Sequence, residues 1–166
     1  MITLLDKLEA TLDAPGLILG NAISDKYFAD WSGAKPCAPA ALLKPKTTDE
    51  LSAVMALCHQ YDQSVVVQGG LTGLAGGATP QNGEFAISLE RMSAIEEIDA
   101  TAMTLTALAG TPLQLLQEAA AEHDLFVPLD LGARGSCMIG GNVATNAGGT
   151  EVIRYGMPRS LVLCLE

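Results

Sequence analysis

The sequence predicts an α+β fold, and three observations support this prediction. Residues 40–68 read in the order strand, helix, strand, which is the order of a βαβ unit with a parallel pair of strands. Further short strand patterns and one amphipathic helix follow between residues 85 and 123. Apolar residues form 49% of the 166 residues but aromatic residues only 4%, so the chain can bury a core of mainly aliphatic side chains.

The charge and the cysteine content argue against several classes of protein. A net charge of −10 disfavours a nucleic acid or an anionic membrane surface as a partner. No apolar run approaches the roughly 20 residues of a membrane helix, and the N-terminus has no signal-peptide pattern. The four cysteines lack C-x-x-C spacing and the histidines number two. We therefore expect no metal site, and reduced, mostly buried thiols in a cytoplasmic protein.

Residues 1–36 are predicted to be an N-terminal helix and loop. Leucines at helical spacing predict an amphipathic helix over residues 3–13, which a Pro-Gly pair ends. The polar and aromatic residues 24–33 predict a loop or a short helix. Trp31, the single tryptophan of the sequence, is expected to anchor this segment by packing on a lobe surface.

The βαβ unit comes next. Residues 40–43 predict a short strand that a Lys-Pro pair ends. Thr47 and Glu50 have the spacing of a capping box, and the apolar residues after them predict a helix to about Tyr61. The β-branched run at residues 65–67 predicts a buried strand.

That strand runs into a glycine-rich loop at residues 69–77, in which five of nine residues are glycine. Glycine tolerates a positive φ and lets a ligand lie directly against the main chain. Such a loop offers a row of backbone N–H groups that can hold a diphosphate without lysine or arginine. The loop itself has no basic residue, and the nearest in the sequence are Lys46 and Arg91.

Two better-known phosphate loops do not fit these residues. The P-loop pattern G-x-x-x-x-G-K-[ST] fails because no lysine follows the glycines. The dinucleotide pattern G-x-G-x-x-G fails because Leu71 and Thr72 separate Gly70 from the next glycine. Residues 78–80 then predict a turn rather than the start of a helix. The alternative interpretation is a glycine-rich connection between two strands that binds nothing.

Strands and a helix are predicted beyond the loop. The strands are expected at residues 85–89, 95–99 and 103–109. Thr111 is predicted as the N-cap of a helix that has Pro112 in its first turn and ends near His123. His123 and His59 are expected to be polar residues at helix ends rather than catalytic bases.

Residues 128–149 form a second glycine-rich segment. Six of its last eighteen residues are glycine, with no helical period and only a brief strand-like pattern. A loop of this length usually binds something, and Asn142, Thr145 and Asn146 offer hydrogen-bonding groups. The alternative is a structural Ω-type loop. The arginines near this segment, which either help to bind anionic groups or form structural ion pairs, are Arg134, Arg154 and Arg159.

Residues 161–165 predict a buried strand that runs into Glu166 without a turn or a cap. A buried strand without a partner leaves an exposed edge. We therefore expect the chain to be a piece of a longer protein, cut within a domain, and the free edge to allow a homodimer.

The two glycine-rich segments together resemble a known pair of motifs. They read QGGLTGLAGGATP at residues 68–80 and DLGARGSCMIGGNVATNAGG at residues 130–149, followed by RYG at residues 154–156. The pair resembles the FAD-binding domain of the FAD-linked oxidase superfamily related to vanillyl-alcohol oxidase. Within it, the sequence is most similar to the group of D-2-hydroxyglutarate dehydrogenase, D-lactate dehydrogenase and the glycolate oxidase flavin subunit. The similarity runs from about Tyr27 onward.

The resemblance implies an architecture and a mode of cofactor binding. The fold would be a two-lobed FAD-binding domain over residues 37–166, truncated at its C-terminus. Lobe one, a small parallel βαβ lobe, would span about residues 37–90, and lobe two, largely antiparallel, about residues 91–166. Covalent members of the superfamily often carry a histidine where this sequence has Leu71, so FAD is expected to be bound without a covalent bond.

The resemblance also implies which residues hold FAD. The first loop wraps the diphosphate, and the matching residues are Gln68, Gly69, Gly70, Thr72, Gly73, Gly76 and Gly77. The second segment runs beside the flavin and its ribityl and diphosphate groups, and the matching residues are Gly135, Ser136, Ile139, Gly140, Asn142, Thr145 and Gly148.

By resemblance, the parent protein is an FAD-dependent dehydrogenase or oxidase. A D-2-hydroxy acid of the 2-hydroxyglutarate, lactate or glycolate type would give hydride to the flavin, and the electrons would leave to an acceptor other than NAD. The catalytic residues of the family, and a metal site in some members, lie in a C-terminal half outside this sequence. One alternative is a non-catalytic flavin-binding or interaction module. Another keeps the fold and acts on aldonolactones or a peptidoglycan precursor.

Overall fold

The computed structural model describes residues 2–166, which form two compact units. The first unit ends at Met92, and the second is Ser93–Glu166. Helices are combined with both parallel and antiparallel strands, so the α+β class predicted from the sequence is confirmed.

Within residues 2–92 the chain is built around a four-stranded sheet. Its helices and strands are, in chain order, α1 (Leu4–Thr11), β1 (Leu17–Leu19), β2 (Ala41–Leu43), α2 (Thr48–Gln60), β3 (Val65–Gln68) and β4 (Phe85–Ser88). Short 3-10 turns lie at Gly20–Ala22 and Asp25–Tyr27. Thr47 caps α2 as predicted, because its side chain accepts the Glu50 N–H at 3.1 Å. The Glu50 carboxylate completes the cap differently, by accepting the N–H of Lys46 at 2.8 Å.

The strand order β1-β2-β4-β3 confirms that the two strands of the βαβ unit run parallel but separates them by one strand. Strands β2 and β3 both run parallel to β4, which lies between them, so the two strands of the βαβ unit are not neighbours. All four residues of β4 are buried, which suits a central strand in a parallel sheet. Strand β1 adds an antiparallel edge that was not predicted, since its three residues are too few to show a pattern.

Aliphatic side chains and one tyrosine form a buried cluster that includes residues of the sheet. The members of this cluster are Ile23, Tyr27, Leu42, Val66 and Ala86. Trp31 is not among them: it is 78% exposed, so the prediction that it anchors the segment by packing is wrong. Tyr27 takes that role because its hydroxyl donates to Glu90 at 2.8 Å, which satisfies the polar end of a buried ring.

The second unit contains an antiparallel hairpin and several helices. Its elements are β5 (Ile95–Asp99), β6 (Thr104–Ala107), α3 (Leu113–Ala121), α4 (Ile139–Ala144), α5 (Val152–Tyr155) and a 3-10 turn at Pro158–Leu161. Thr111 is not the N-cap of α3 as predicted, because Pro112 occupies that position. The buried Thr111 hydroxyl instead accepts the N–H of Ala94 and donates to its carbonyl, both at 3.0 Å. This exchange ties the chain before β5 to the chain before α3.

Helix α4 lies in the segment for which the sequence predicted no helical pattern, so that prediction is wrong. Six residues rich in glycine are too few to display a helical period. Two contacts from elsewhere in the second unit set the start of the helix. The N–H of Ile139 donates to the carbonyl of Thr111 at 2.9 Å, and that of Gly140 donates to the carbonyl of Ala109 at 2.8 Å.

The strand predicted at residues 161–165 is also absent. The segment leaves a 3-10 turn and continues without regular structure, with Leu163 81% and Leu165 73% exposed. A short run of apolar residues forms a strand only if a partner strand is available, and none pairs here among the described residues. The free edge that led us to expect a homodimer is therefore not formed by this segment.

Several features of the composition have simple structural counterparts. In the part of the chain that the structure describes, no helix has the length and apolar character needed to cross a membrane. No cluster of three or more possible metal-ligating side chains occurs among residues 2–166. The four cysteines are free thiols. Cys58 and Cys137 are buried, whereas Cys37 is partly buried and Cys164 is exposed, so burial is less general than predicted.

Candidate functional site

The glycine loop, defined as residues 69–77, begins where β3 ends. It leaves the sheet directly after Gln68, at the carboxyl end of a strand that pairs in parallel with β4. In open sheets of parallel strands, ligands bind beyond the carboxyl ends of the strands. The fold therefore places this loop at the edge of the sheet where a ligand is expected.

Unused backbone donors are the main chemical feature of the glycine loop. Within residues 2–166, none of the nine backbone N–H groups from residue 69 to residue 77 donates to a protein acceptor. Backbone N–H groups that do not pair within the protein need water or a ligand. A row of such groups in a loop with little side-chain cover is a site for an anion with several oxygens.

The local backbone shows why these residues suit the loop. Gly76 has a φ of +80°, a conformation that side chains disfavour, and a Cβ at Gly77 would meet no atom within 4 Å. Leu71 is the exception, since it has a φ of +58° without being glycine. Its partly buried side chain packs against the core cluster of the first unit, which offsets the cost of that backbone conformation.

Two side chains outside the loop hold its far end. The side-chain amide of Gln68 donates from Nε2 to the carbonyl of Ala78 at 2.9 Å and to the carbonyl of Tyr27 at 2.9 Å. The carboxylate of Asp30 accepts the N–H of Ala78 at 3.3 Å and the hydroxyl of Thr79 at 3.1 Å. The loop therefore returns to its own starting point, and both the backbone N–H and the backbone carbonyl of Ala78 are hydrogen-bonded.

The charge around the loop is set by paired groups. Burial would raise the pKa of Asp30, but hydrogen bonds from Ser32, Ala78 and Thr79 outweigh it and hold the pKa below its usual value. Asp30 is therefore ionised at neutral pH. The two cations nearest to the loop in sequence, Lys46 and Arg91, both bind Asp13, at 3.1 and 2.7 Å. Both of these cations are therefore paired with a carboxylate within the first unit.

The glycines of the second glycine segment, defined as residues 128–149, serve mainly for close packing. A Cβ at Gly140 would lie 2.7 Å from the Cβ of Ala109, and a Cβ at Gly148 would lie 3.3 Å from Val152. Gly149, with a φ of +105°, has no room for a Cβ against the carbonyl of Asp130. These positions allow chain segments to approach each other, whether or not a ligand is also present.

The polar residues predicted in this segment differ in their surroundings. Asn142 is buried, and its Nδ2 donates to the Sγ of Cys137 at 3.4 Å. The Thr145 hydroxyl donates to the carbonyl of Gly141 at 2.8 Å. Ser136 is exposed, and its hydroxyl bonds to no other group among the described residues. Ser136 and Thr145 are thus the exposed members of this set, and Ile139 is partly buried.

The three arginines all have partners within the second unit, which favours the structural alternative. Arg134 pairs with Asp130 at 3.2 Å. Arg159 donates to the carbonyl of Ala144 at 2.6 Å and to that of Val143 at 3.2 Å, so it caps the C-terminus of α4. Arg154 lies over the ring of Tyr155, with 5.2 Å from the guanidinium carbon to the ring centroid.

Asp30 and Thr79 are the site residues that sequence reasoning missed. A local signal for Asp30 existed, because an aspartate two residues before a serine can accept its N–H in a turn, and Asp30 does accept the Ser32 N–H at 3.1 Å. Its partners Ala78 and Thr79, directly after the loop, lie 48 and 49 residues further along the chain. No local pattern reveals a contact of that separation.

Comparisons with known proteins identify the family of the chain. A family model described as "FAD binding domain" matches residues 39–166, which is more than half of the chain. A D-2-hydroxyglutarate dehydrogenase of Xanthomonas citri pv. viticola is 44% identical over 142 residues, covering 86% of this chain and 30% of that protein. A mitochondrial D-2-hydroxyglutarate dehydrogenase of Danio rerio is 43% identical over 155 residues, covering 90% of this chain and 29% of that protein. The chain thus spans about a third of the length of these relatives.

A solved structure has the same fold. The structure of alkyldihydroxyacetonephosphate synthase superposes with a TM-score of 0.86 at 19% sequence identity, covering 95% of this chain and 31% of that one. At that identity the likeness concerns the fold alone. The two-lobed architecture implied by the resemblance is therefore consistent with a known arrangement of these elements.

Proposed function

We propose, from the premise that this chain belongs to the family of FAD binding domains, that its glycine loop holds the diphosphate of FAD through backbone N–H groups. In the proposed parent protein, the bound FAD serves a dehydrogenase that oxidises a D-2-hydroxy acid. When bound, FAD supplies a flavin ring that accepts hydride, and this chain supplies binding and orientation.

The observation that carries the proposal is the row of nine N–H groups in residues 69–77 without protein acceptors. A hydrogen bond to a charged acceptor contributes about 1.5–3 kcal/mol, so a few of these donors suffice to hold a diphosphate without a cation. The donors are accessible because the loop residues carry little side chain, as the open space at Gly77 illustrates. The fit of the loop to FAD therefore rests on donors and space that this chain itself provides.

The side chains of the loop also bear on the type of attachment. The loop contains no histidine, cysteine or tyrosine that could form a bond to the flavin. Leu71, at the position where covalent members of the superfamily often carry histidine, packs into the core. We therefore propose non-covalent binding, and in the first unit the residues in direct contact with FAD are those of the glycine loop. The contacts named in the second glycine segment remain predictions.

The substrate proposal rests on the relatives. Proteins named D-2-hydroxyglutarate dehydrogenase are 44% and 43% identical to this chain over most of its length. The parent protein would accordingly take a D-2-hydroxy acid of the 2-hydroxyglutarate type and pass electrons to an acceptor other than NAD. The activity is tested on the whole protein, by reduction of an artificial acceptor with D-2-hydroxyglutarate, D-lactate or glycolate. Electron transfer to NAD in place of that acceptor would contradict the proposal.

FAD binding is tested on the chain itself. The purified chain is incubated with FAD and desalted, and its visible spectrum is recorded. We expect retained flavin absorbance, and loss of that absorbance in Gly77→Asp, because a carboxylate among the N–H groups repels the diphosphate. The matched control is Ser52→Asp, which introduces the same charge at an exposed position of α2, outside both glycine-rich segments. A folded but colourless chain, or equal loss in both variants, would contradict the proposed binding.

The compartment and the assembly state remain predictions. The cysteines led us to expect a cytoplasmic location. The Danio rerio relative differs from this expectation, because its name places that protein in mitochondria. A homodimer is proposed without an assigned surface, since residues 161–165 do not form the strand edge that suggested it.

A further inference from the structure

We propose that Asp30, Thr79 and Gln68 are positioning residues for the cofactor: they fix the backbone of Ala78 through its N–H and its carbonyl and thereby hold the N–H groups of the glycine loop in place for a diphosphate. This inference rests on the proposed function, since it concerns how the same loop binds FAD. None of the three side chains needs to touch the ligand for this role.

The first argument is the geometry of loop closure. The loop starts directly after Gln68, and the Gln68 amide returns to its far end by donating to the carbonyl of Ala78 at 2.9 Å. On the opposite side of the chain, the N–H of Ala78 donates to Asp30 at 3.3 Å. A glycine-rich loop loses much conformational entropy when a ligand orders it, so fixing its ends beforehand reduces that cost.

The second argument is the inward use of the Asp30 carboxylate. Asp30 is 7% exposed and accepts the Ser32 N–H, the Ala78 N–H and the Thr79 hydroxyl. In return the N–H of Asp30 donates to the Thr79 hydroxyl oxygen at 3.1 Å. A buried carboxylate next to an anion-binding loop repels the ligand, so its benefit must come from the bonds that it makes to the loop.

The third argument is the burial of Gln68. Its side chain is fully buried, and Oε1 has no hydrogen-bond partner among the described residues. A buried acceptor without a partner is unfavourable, so the bonds from Nε2 must outweigh it. Those bonds reach Tyr27 and Ala78, which makes Gln68 a brace for the loop rather than a direct contact of FAD.

The test uses matched variants of the chain. Thr79→Val removes the hydroxyl at nearly constant volume, and Thr79→Ser keeps it. Asp30→Asn replaces one carboxylate oxygen with an NH₂ group. The side chain then has one acceptor fewer, and an NH₂ group can face the Ala78 N–H in place of the oxygen that accepts it. Gln68→Met removes the amide, and Gln63→Met is its control, since Gln63 also donates to two backbone carbonyls, Ser64 and Gly83, at 2.9 Å each but away from the loop.

The measurement is the Kd for three ligands: FAD, ADP and riboflavin. ADP carries the diphosphate, and riboflavin carries the flavin without phosphate. We expect Thr79→Val, Asp30→Asn and Gln68→Met each to weaken FAD and ADP about tenfold and to leave riboflavin unchanged. Thr79→Ser and Gln63→Met should bind all three ligands as the unmodified chain does. Equal losses for all three ligands, or unchanged FAD and ADP affinity, would overturn the inference.

A second measurement separates this inference from the proposed function. Hydrogen exchange of the Ala78 amide is followed in the chain without ligand, with amides of β4 as the internal reference. Slow exchange in the unmodified chain and fast exchange in Asp30→Asn, with β4 unchanged, would support the positioning role even if FAD did not bind. Equal exchange in both proteins would overturn that role, whereas failure to bind FAD alone would overturn the proposed function.

Discussion

Arg91 and Asp13 lie 78 residues apart in the sequence, and the Arg91 guanidinium donates to both carboxylate oxygens of Asp13, at 2.7 and 2.9 Å. The same guanidinium donates to the carbonyl of Lys44 at 2.9 Å. The pair therefore joins the chain after α1, the end of β2 and the chain after β4 within the first unit. Arg91, one of the two basic residues nearest to the glycine loop in the sequence, is therefore engaged in this ion pair.

Arg91→Lys is expected to destabilise the first unit. A lysine ammonium cannot donate in parallel to two carboxylate oxygens and also reach the Lys44 carbonyl, so the fork of contacts is lost. The measurement is the urea midpoint of unfolding, which should decrease. Arg134→Lys is the matched control, because its pair with Asp130 is exposed and joins residues only four positions apart. A midpoint lowered equally by both substitutions would show that the Arg91 contacts add nothing specific.

Glu90 is expected to make stability depend on pH. Burial would raise the pKa of Glu90, but bonds from Lys44, Tyr27 and Lys26 outweigh it and lower the pKa from 4.5 to about 2. Between these two values the unfolded chain binds the proton and the folded chain does not. Stability from Glu90 is therefore complete above pH 4.5 and is lost as the pH falls toward about 2.

The measurement for Glu90 is the free energy of unfolding from about pH 6 to about pH 3, compared between the unmodified chain and Glu90→Gln. The unmodified chain should be the more stable at the upper end, and the difference should shrink as the pH falls. Glu97→Gln, at an exposed position of β5, should leave the pH dependence unchanged. A difference that stays constant over this range would contradict the assigned pKa.

Two adjacent glycines of α4 are expected to respond in opposite ways to alanine. In Gly140→Ala the new Cβ would lie 2.7 Å from the Ala109 Cβ and 2.9 Å from its carbonyl oxygen, which should cost about 1–3 kcal/mol. In Gly141→Ala the Cβ meets nothing within 4 Å, and alanine favours a helix over glycine by about 1 kcal/mol. Urea unfolding of the two variants measures both changes. Equal stability would mean that α4 does not pack on Ala109.

Local residue patterns predicted most of the first unit. The apolar period of α2, the threonine at its start and the β-branched run of β3 each act over a few residues, and each is found where it was predicted. The insertion of β4 between β2 and β3 was not predicted, because pairing order depends on which strands bury most surface rather than on sequence order. The three-residue strand β1 was missed for the lack of any pattern.

The second unit was predicted less well, and for a physical reason. Strands β5 and β6 and helix α3 have periodic patterns and were recognised. Helix α4 depends on two backbone carbonyls, of Thr111 and Ala109, that lie far before it in the chain. Residues 161–165 are a continuous apolar run, as in a buried strand, but they pair with no strand among the described residues, so their backbone groups do not form a ladder.

The sequence by itself determined the chemistry of the proposed site: a run of residues with little side chain after a strand, no cation in it, and Leu71 where a covalent bond would need histidine. These are local properties that composition and order fix completely. Only the tertiary structure decided how the loop is held, since Asp30 reaches Ala78 across 48 residues and Gln68 reaches Tyr27 across 41. Hydrogen bonds between distant segments leave no periodic trace in a sequence, because they depend on where the folded core brings the backbone together.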